Sequence, residues 1–158
     1  MELTAEPVRS FEDFYRDEWA SIRRAVGFVL SERGLARECV DEAMTRACER
    51  WGQVSATGRP AAWVYRVAMD EARRRGRRHS LERHERHERT LAGSGADPAI
   101  AAALARLPLD QRSVVVLRFY LDWPAEAVAD AIGVAPGAVE GRLHRALRRL
   151  ESSLRESA

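Results

Sequence analysis

Lysine is absent from this chain of 158 residues, and all 26 of its basic side chains are arginine. Alongside the alanine-rich text this points to a GC-rich genome rather than to any chemistry. Cysteine is scarce as well. The two thiols, Cys39 and Cys48, stand nine residues apart in what reads as one helix. That spacing puts them on opposite faces and about 13 Å apart along the axis, too far for a disulfide. Both are expected to be buried thiols in a reducing cytoplasm. No apolar run reaches the length of a membrane span, and the opening residues MELTAEPVRSFEDF hold no apolar signal core. A soluble cytoplasmic protein without membrane insertion is expected. Nowhere do apolar and polar residues alternate with the period of a strand, which leaves an all-α chain. There is also no phosphate-cradling Gly-rich loop, no metal-ligand set and no nucleophile with a base at motif spacing. The expectation is a protein that is not an enzyme and takes no cofactor.

What is present is unevenly charged. The net charge of +2 conceals a slight acidic excess over residues 1–70, a balance over 97–158, and a basic block from Arg73 to Arg89. Such a distribution suits a protein that meets both nucleic acid and another protein. Within the block, His79, His84 and His87 lie near Glu82, Glu85 and Glu88, but the segment is polar, rich in arginine and without cysteine, so it reads as a charged linker and not as a metal site.

Helical spacing accounts for the rest. Phe11, Phe14, Trp19, Ile22, Val26 and Val29 share one face of a helix over 10–31, with Ser10 as its N-cap. Gly34 interrupts, and a second helix over 35–51 aligns Leu35, Cys39, Val40, Ala43, Met44, Ala47 and Trp51. Its polar face carries Glu38, Asp41, Glu42, Thr45, Arg46 and Glu49. Residues 52–60 read as a loop, and a third helix over 61–75 ends in arginines. After the linker-like stretch 77–96, Asp97 and Pro98 restart helix as N-cap and first-turn proline. A helix over 99–106, a break at Leu107-Pro108 and a helix over 110–121 follow. Two small helical domains are expected, 8–78 and 98–155, joined by a flexible linker over 79–97.

The most specific pattern is WPAEAVADAIGVAPGAVEGRLHRALRRL from Trp123. Ala129, Gly133 and Val139 are spaced four and six apart, as two short helices need if they are to cross closely, turn tightly and share a core. Ala129 keeps the crossing close, and Gly133 supplies the left-handed turn. Val128, Ile132, Val134, Val139, Leu143 and Ala146 form the shared apolar face. Pro136 suits the first turn of the second helix. From that helix Arg142, Arg145, Arg148 and Arg149 project outward with His144, and guanidinium groups read guanine edges and phosphates. This is a helix-turn-helix, and its partner is expected to be duplex DNA.

These residues resemble the extracytoplasmic-function (ECF) sigma factors of the sigma-70 superfamily. LARLPLDQRSVVVLRFYLDWPAEAVADAIGVAPGAVEGRLHRALRRL from Leu104 is similar to sigma region 4, ARECVDEAMTRACERW from Ala36 to region 2.2, and PAAWVYRVAMDEARRR from Pro60 to regions 2.3 and 2.4. The resemblance implies that the protein binds core RNA polymerase, at the beta-prime clamp and beta flap, and directs promoter-specific initiation. It implies core binding through Glu38, Asp41, Glu42, Thr45 and Arg46. It implies reading and melting of the −10 element by Trp63, Tyr65, Arg66, Asp70, Arg73 and Arg74, where unstacked bases need a platform and the backbone needs cations; Tyr65 is preferred over Trp63 as the platform. The −35 element would fall to Pro136, Glu140, Gly141, Arg142, His144, Arg145 and Arg148. An anti-sigma factor is an expected partner.

The chain departs from the family pattern at Asp41, where Gln is usual, and at Asp70, where Asn is usual. It departs again at Glu140 and Gly141, where a basic or polar pair is common. A carboxylate accepts a hydrogen bond from a cytosine amino group but repels phosphate, so the promoter preference is expected to be the chain's own. Two other readings remain open: a dimeric helix-turn-helix regulator on palindromic DNA, and a degenerate sigma-like protein acting without initiation.

Overall fold

The computed structural model describes residues 8–76 and 97–158, and among these every regular element is helical. Eight α-helices follow in order: α1 (Phe11–Leu30), α2 (Arg33–Glu49), α3 (Trp51–Ala56), α4 (Pro60–Gly76), α5 (Pro98–Arg106), α6 (Leu109–Val115), α7 (Ala125–Ile132) and α8 (Pro136–Glu156). The expected linker over 79–97 lies, apart from Asp97, outside the described residues, as do His79, His84 and His87.

Local chemistry sets the helix ends. The Ser10 side chain accepts from the Asp13 N–H at 3.2 Å, and Glu12 and Asp13 in the first turn of α1 face its positive end. Asp97 does the same for α5, accepting from the Ala99 N–H at 2.8 Å with Pro98 beside it. Both caps agree with the sequence. The boundaries of α2 do not. It begins at Arg33, so Gly34 lies in its first turn instead of interrupting the chain. Residues 52–56, read as part of a loop, join Trp51, read as the end of the second helix, in the short helix α3 after a break at Arg50. Tertiary contacts outweigh the poor helix propensity of this stretch: Trp51 packs its ring on Phe11 and Phe14, and its indole N–H donates to the Arg9 carbonyl at 2.9 Å. The helix expected over 110–121 is α6 followed by a π-helical turn, Val116–Tyr120. The wider turn leaves Phe119 and Tyr120 exposed.

Helices α1, α2 and α4 enclose Phe14, Ile22, Val26, Cys39, Val40, Val64 and Ala68, all buried. The second group, α5 to α8, encloses Val114, Leu117, Val128, Val139 and Ala146. The two groups lie against each other, with α4 on α7 and α1 on α6 and the π-helical turn, so one apolar cluster runs through both. Polar side chains cross this seam. The Tyr65 hydroxyl and Ser113 Oγ are 2.8 Å apart, and Arg112 donates to the Val29 carbonyl at 2.5 Å. Tyr65 meets Trp123 edge-on at 6.3 Å, and Phe28 meets Tyr120 at 4.9 Å.

Cys39 is buried, as expected, and burial pushes its thiol up to about 11, which keeps it protonated and inert at neutral pH. Cys48 is exposed, contrary to expectation. Nine residues at 100° per residue turn it half a revolution from Cys39, onto the polar side of α2.

Candidate nucleic-acid interface

The helix-turn-helix forms as its spacing demands. Val128 and Ala129 are buried on α7, and Val139, Leu143 and Ala146 are buried on α8. Gly133 closes α7 at φ 72°, in the left-handed region where a side chain is strained, and its N–H donates to the Ala129 carbonyl at 2.9 Å. Pro136 opens α8, and Glu140, His144, Arg145 and Arg148 stand exposed along its outer side. Arg142 is more enclosed and reaches Asp110 at 3.5 Å. A Cβ at Gly141 would meet only the end of the Arg145 side chain, at an ordinary 3.7 Å. Packing therefore does not require glycine there, and the missing side chain lowers the outer surface of α8 where a groove floor would approach.

Helix α4 carries the candidate −10 residues, and the structure divides them. Trp63 is partly buried, while Arg66, Asp70, Arg73 and Arg74 are exposed. Tyr65, expected to offer a free ring, is instead 1% exposed, and burial pushes its phenol pKa up. The sequence gives no sign of this, because the neighbour that covers Tyr65 is Ser113 of α6, 48 residues away. Arg73 pairs with Asp70 at 3.1 Å and lies 3.7 Å from Asp110. Arg66 packs on the helix-turn-helix turn, where its guanidinium would sit 3.3 Å from a Cβ on Gly133.

The candidate polymerase-binding face of α2 is also shared out. Asp41, Thr45 and Glu38 are exposed, with Glu42 and Arg46 partly so. Glu38 accepts from Arg75 of α4 at 2.7 Å, and Arg46 bridges Glu42 and Glu71, each at 3.2 Å. Burial alone would raise the Glu71 carboxyl, but the Arg75 hydrogen bond and the charges of Arg74, Arg75 and Arg46 outweigh it, and its pKa is lowered. Glu71 thus ties α4 to α2 through Arg46. Asp41 accepts from the Trp19 indole N–H at 3.0 Å, in a row where Tyr15 stacks on Trp19 and Arg23 lies over the Trp19 ring. Trp19, which helical spacing had put in a core stripe, and Glu71, which no sequence pattern singled out, hold side chains of this face in place.

Among the described residues no group of three metal-binding side chains occurs, and no helix is long and apolar enough to cross a membrane. A helical chain ending in a helix-turn-helix with arginines along its outer face is, by class, a DNA-binding transcription protein. Residues 98–150 match the family model for sigma-70, region 4. The ECF RNA polymerase sigma factor SigL of Mycobacterium tuberculosis is 32% identical over 133 residues, covering 77% of this chain and 75% of SigL. RNA polymerase sigma-E factor of Streptomyces avermitilis is 28% identical over 154 residues, 93% of this chain and 86% of that protein. Among solved structures, the sigma factor RpoE of Bartonella quintana, in complex with the anti-sigma factor NepR, superposes with a TM-score of 0.71 at 21% identity, over 92% of this chain and 96% of RpoE. The chain belongs to the ECF RNA polymerase sigma factors, and it is an alternative sigma factor.

Proposed function

We propose that this sigma factor binds core RNA polymerase through residues 8–78, contributes the −10 contacts from α4, and reads the −35 element with α8, as a specificity subunit and not as an enzyme. The observation that carries this reading is the juxtaposition on one chain of an intact helix-turn-helix with a separate helix, α4, whose exposed Arg66, Arg73 and Arg74 follow a partly buried Trp63. Duplex reading and strand opening need different surfaces: arginines on a helix that enters the major groove for the first, and cations beside an aromatic platform for the second. Trp63, more open than Tyr65, is the better platform in the arrangement seen here. Asp41, Glu42 and Thr45 offer polymerase a polar strip on α2, braced by Trp19 on one side and by the arginines around Glu71 on the other. The beta-prime clamp is the proposed partner for this strip, the beta flap for residues 98–155, and the cytoplasm the proposed place of action. NepR on RpoE, and the cytosolic domain of CnrY on CnrH, a structure of like fold at TM-score 0.67, support an anti-sigma factor as a further partner.

The test is reconstitution. Purified protein mixed with core polymerase and genomic promoter fragments is expected to form a stable complex and to give specific start sites. Asp41→Arg with Glu42→Arg is expected to weaken the complex at least tenfold in a pull-down while leaving the helical circular dichroism unchanged. No complex with the unaltered chain would refute the reading, and a complex without start sites would favour a sigma-like protein acting by contact alone. Arg142→Ala or Arg145→Ala is expected to lower −35 affinity by about 1–3 kcal/mol where the arginine contacts a base. Unchanged promoter binding in both variants would exclude α8 as the reader.

A further inference from the structure

Within the second helical group, the C-terminal end of α5 and the far half of α8 enclose a wide-mouthed pocket of about 310 Å³, lined by Arg106, Leu107, Arg148, Arg149, Ser152 and Ser153. The lining offers three guanidinium groups and two hydroxyls, and no carboxylate. None of these arginines has a hydrogen-bond or ion-pair partner among the described residues, in contrast to Arg59, Arg73 and Arg142. Glu151, the acid next to Ser152, is taken up by Arg155 at 2.5 Å. The C-terminal end of a helix ordinarily repels an anion. At α5 that end is neutralised from within, because Arg112 donates to the carbonyls of Leu104, Ala105 and Leu107. Like charges gathered in this way repel one another, and an anion seated among them relieves the repulsion.

The donors fit phosphate. A guanidinium fork binds phosphate oxygens in pairs, and the serine hydroxyls can donate to the oxygens that remain. A carboxylate, with two oxygens, would leave most of these donors idle. No aromatic ring lines the pocket, so it holds no platform for a base. Three guanidinium groups roughly balance the charge of a diphosphate, and the volume lies at the small end of ligand pockets. Position separates the pocket from the groove-reading surface. A recognition helix reads bases with its N-terminal residues. Arg149 stands roughly 20 Å along the axis from Pro136, more than twice the depth of the major groove, about 8.5 Å.

We propose that the α5–α8 pocket is a binding site for a small phosphorylated ligand, held by its diphosphate group between Arg106, Arg148 and Arg149, with Ser152 and Ser153 as further donors. Occupancy ties the end of α5 to the far half of α8 and stabilises the folded chain by linkage. The site depends on none of the polymerase contacts proposed above. Arg148 is also a candidate −35 residue, so the test leaves it in place.

The experiment titrates the full chain with pyrophosphate, in chloride buffer at low ionic strength, and follows calorimetry and thermal denaturation. Saturable binding at a single site is expected, with a rise of about 5 °C in the unfolding midpoint at saturation. Arg106→Gln with Arg149→Gln is expected to weaken pyrophosphate binding at least tenfold while leaving the helical circular dichroism unchanged. Arg24→Gln with Arg37→Gln removes the same charge from exposed positions on α1 and α2 and is expected to change the affinity less than twofold. Absence of saturable binding, equal losses in the two double variants, or sulfate bound as tightly as pyrophosphate would overturn the proposal. A fluorescent mixed-sequence duplex tests DNA as the other source of phosphate. Its affinity is expected to change less than about threefold in Arg106→Gln with Arg149→Gln. A loss as large as that for pyrophosphate would make the cluster a contact for the DNA backbone and would likewise overturn the proposal.

Discussion

Replacing Arg112 by Met is expected to lower stability by about 3–5 kcal/mol in chemical denaturation, since several buried carbonyls lose their donors together. Arg112 is 8% exposed and has no carboxylate partner among the described residues. It donates to Leu104 O at 2.9 Å, Ala105 O at 2.8 Å and Leu107 O at 3.0 Å, and to Val29 O at 2.5 Å. The first three lie at the C-terminus of α5 and the fourth near the C-terminus of α1, where unpaired carbonyls concentrate negative potential. The guanidinium is thus a cap shared by two helices, one from each side of the seam, and burial lowers its pKa. Met keeps most of the volume of the stem and removes every donor. Arg112→Lys, with one point charge in place of a planar fork, should recover less than half of the loss. A loss below about 1 kcal/mol for Arg112→Met would show that water replaces the guanidinium at these carbonyls.

Phe14→Ala should be equally severe, at about 3–5 kcal/mol, the usual cost of removing a fully buried aromatic ring together with its cavity. Phe14 is completely buried, 5.1 Å from the Trp51 ring and 6.4 Å from Phe11, with the Arg9 guanidinium 5.6 Å from its centroid. The effect is expected to spread to function, because α1 also carries Trp19, the donor to Asp41 on the candidate polymerase face. A thermal denaturation curve and the polymerase pull-down together check this. Phe14→Leu, which fills most of the space, should keep over half of the stability and of the complex. Wild-type stability in Phe14→Ala would mean that α1 is not anchored at its N-terminal end.

Much of this was legible in the residues themselves, and the reasons are local. Ser10 and Asp97 are short polar side chains ahead of apolar helical periods, and both cap as their chemistry dictates. Gly133 and Pro136 sit where a left-handed turn and a first-turn proline are needed, and the helix-turn-helix forms around them. The misreadings share another cause. Gly52, Ser55 and Thr57 look like a loop, yet Trp51 and Val54 pack on the core and pull 51–56 into α3. Tyr65 has the composition of an exposed platform, yet a residue 48 positions away covers its hydroxyl.

The all-helical class, the caps, the helix-turn-helix and the membership of a sigma family could be read from the residues alone, because these depend on spacing and side-chain type within a few turns of chain. Which arginines are engaged by a carboxylate depends instead on how the helices pack. Arg142, Arg73 and Arg59 are alike in sequence to Arg145 and Arg148, and what distinguishes them is the carboxylates of Asp110 and Asp130, brought close to Arg142 by the packing of α6 on α8 and to Arg73 and Arg59 by that of α6 and α7 on α4 and the residue ahead of it. Charge pairing across a seam depends on distances between segments far apart in the chain, and no periodicity encodes them.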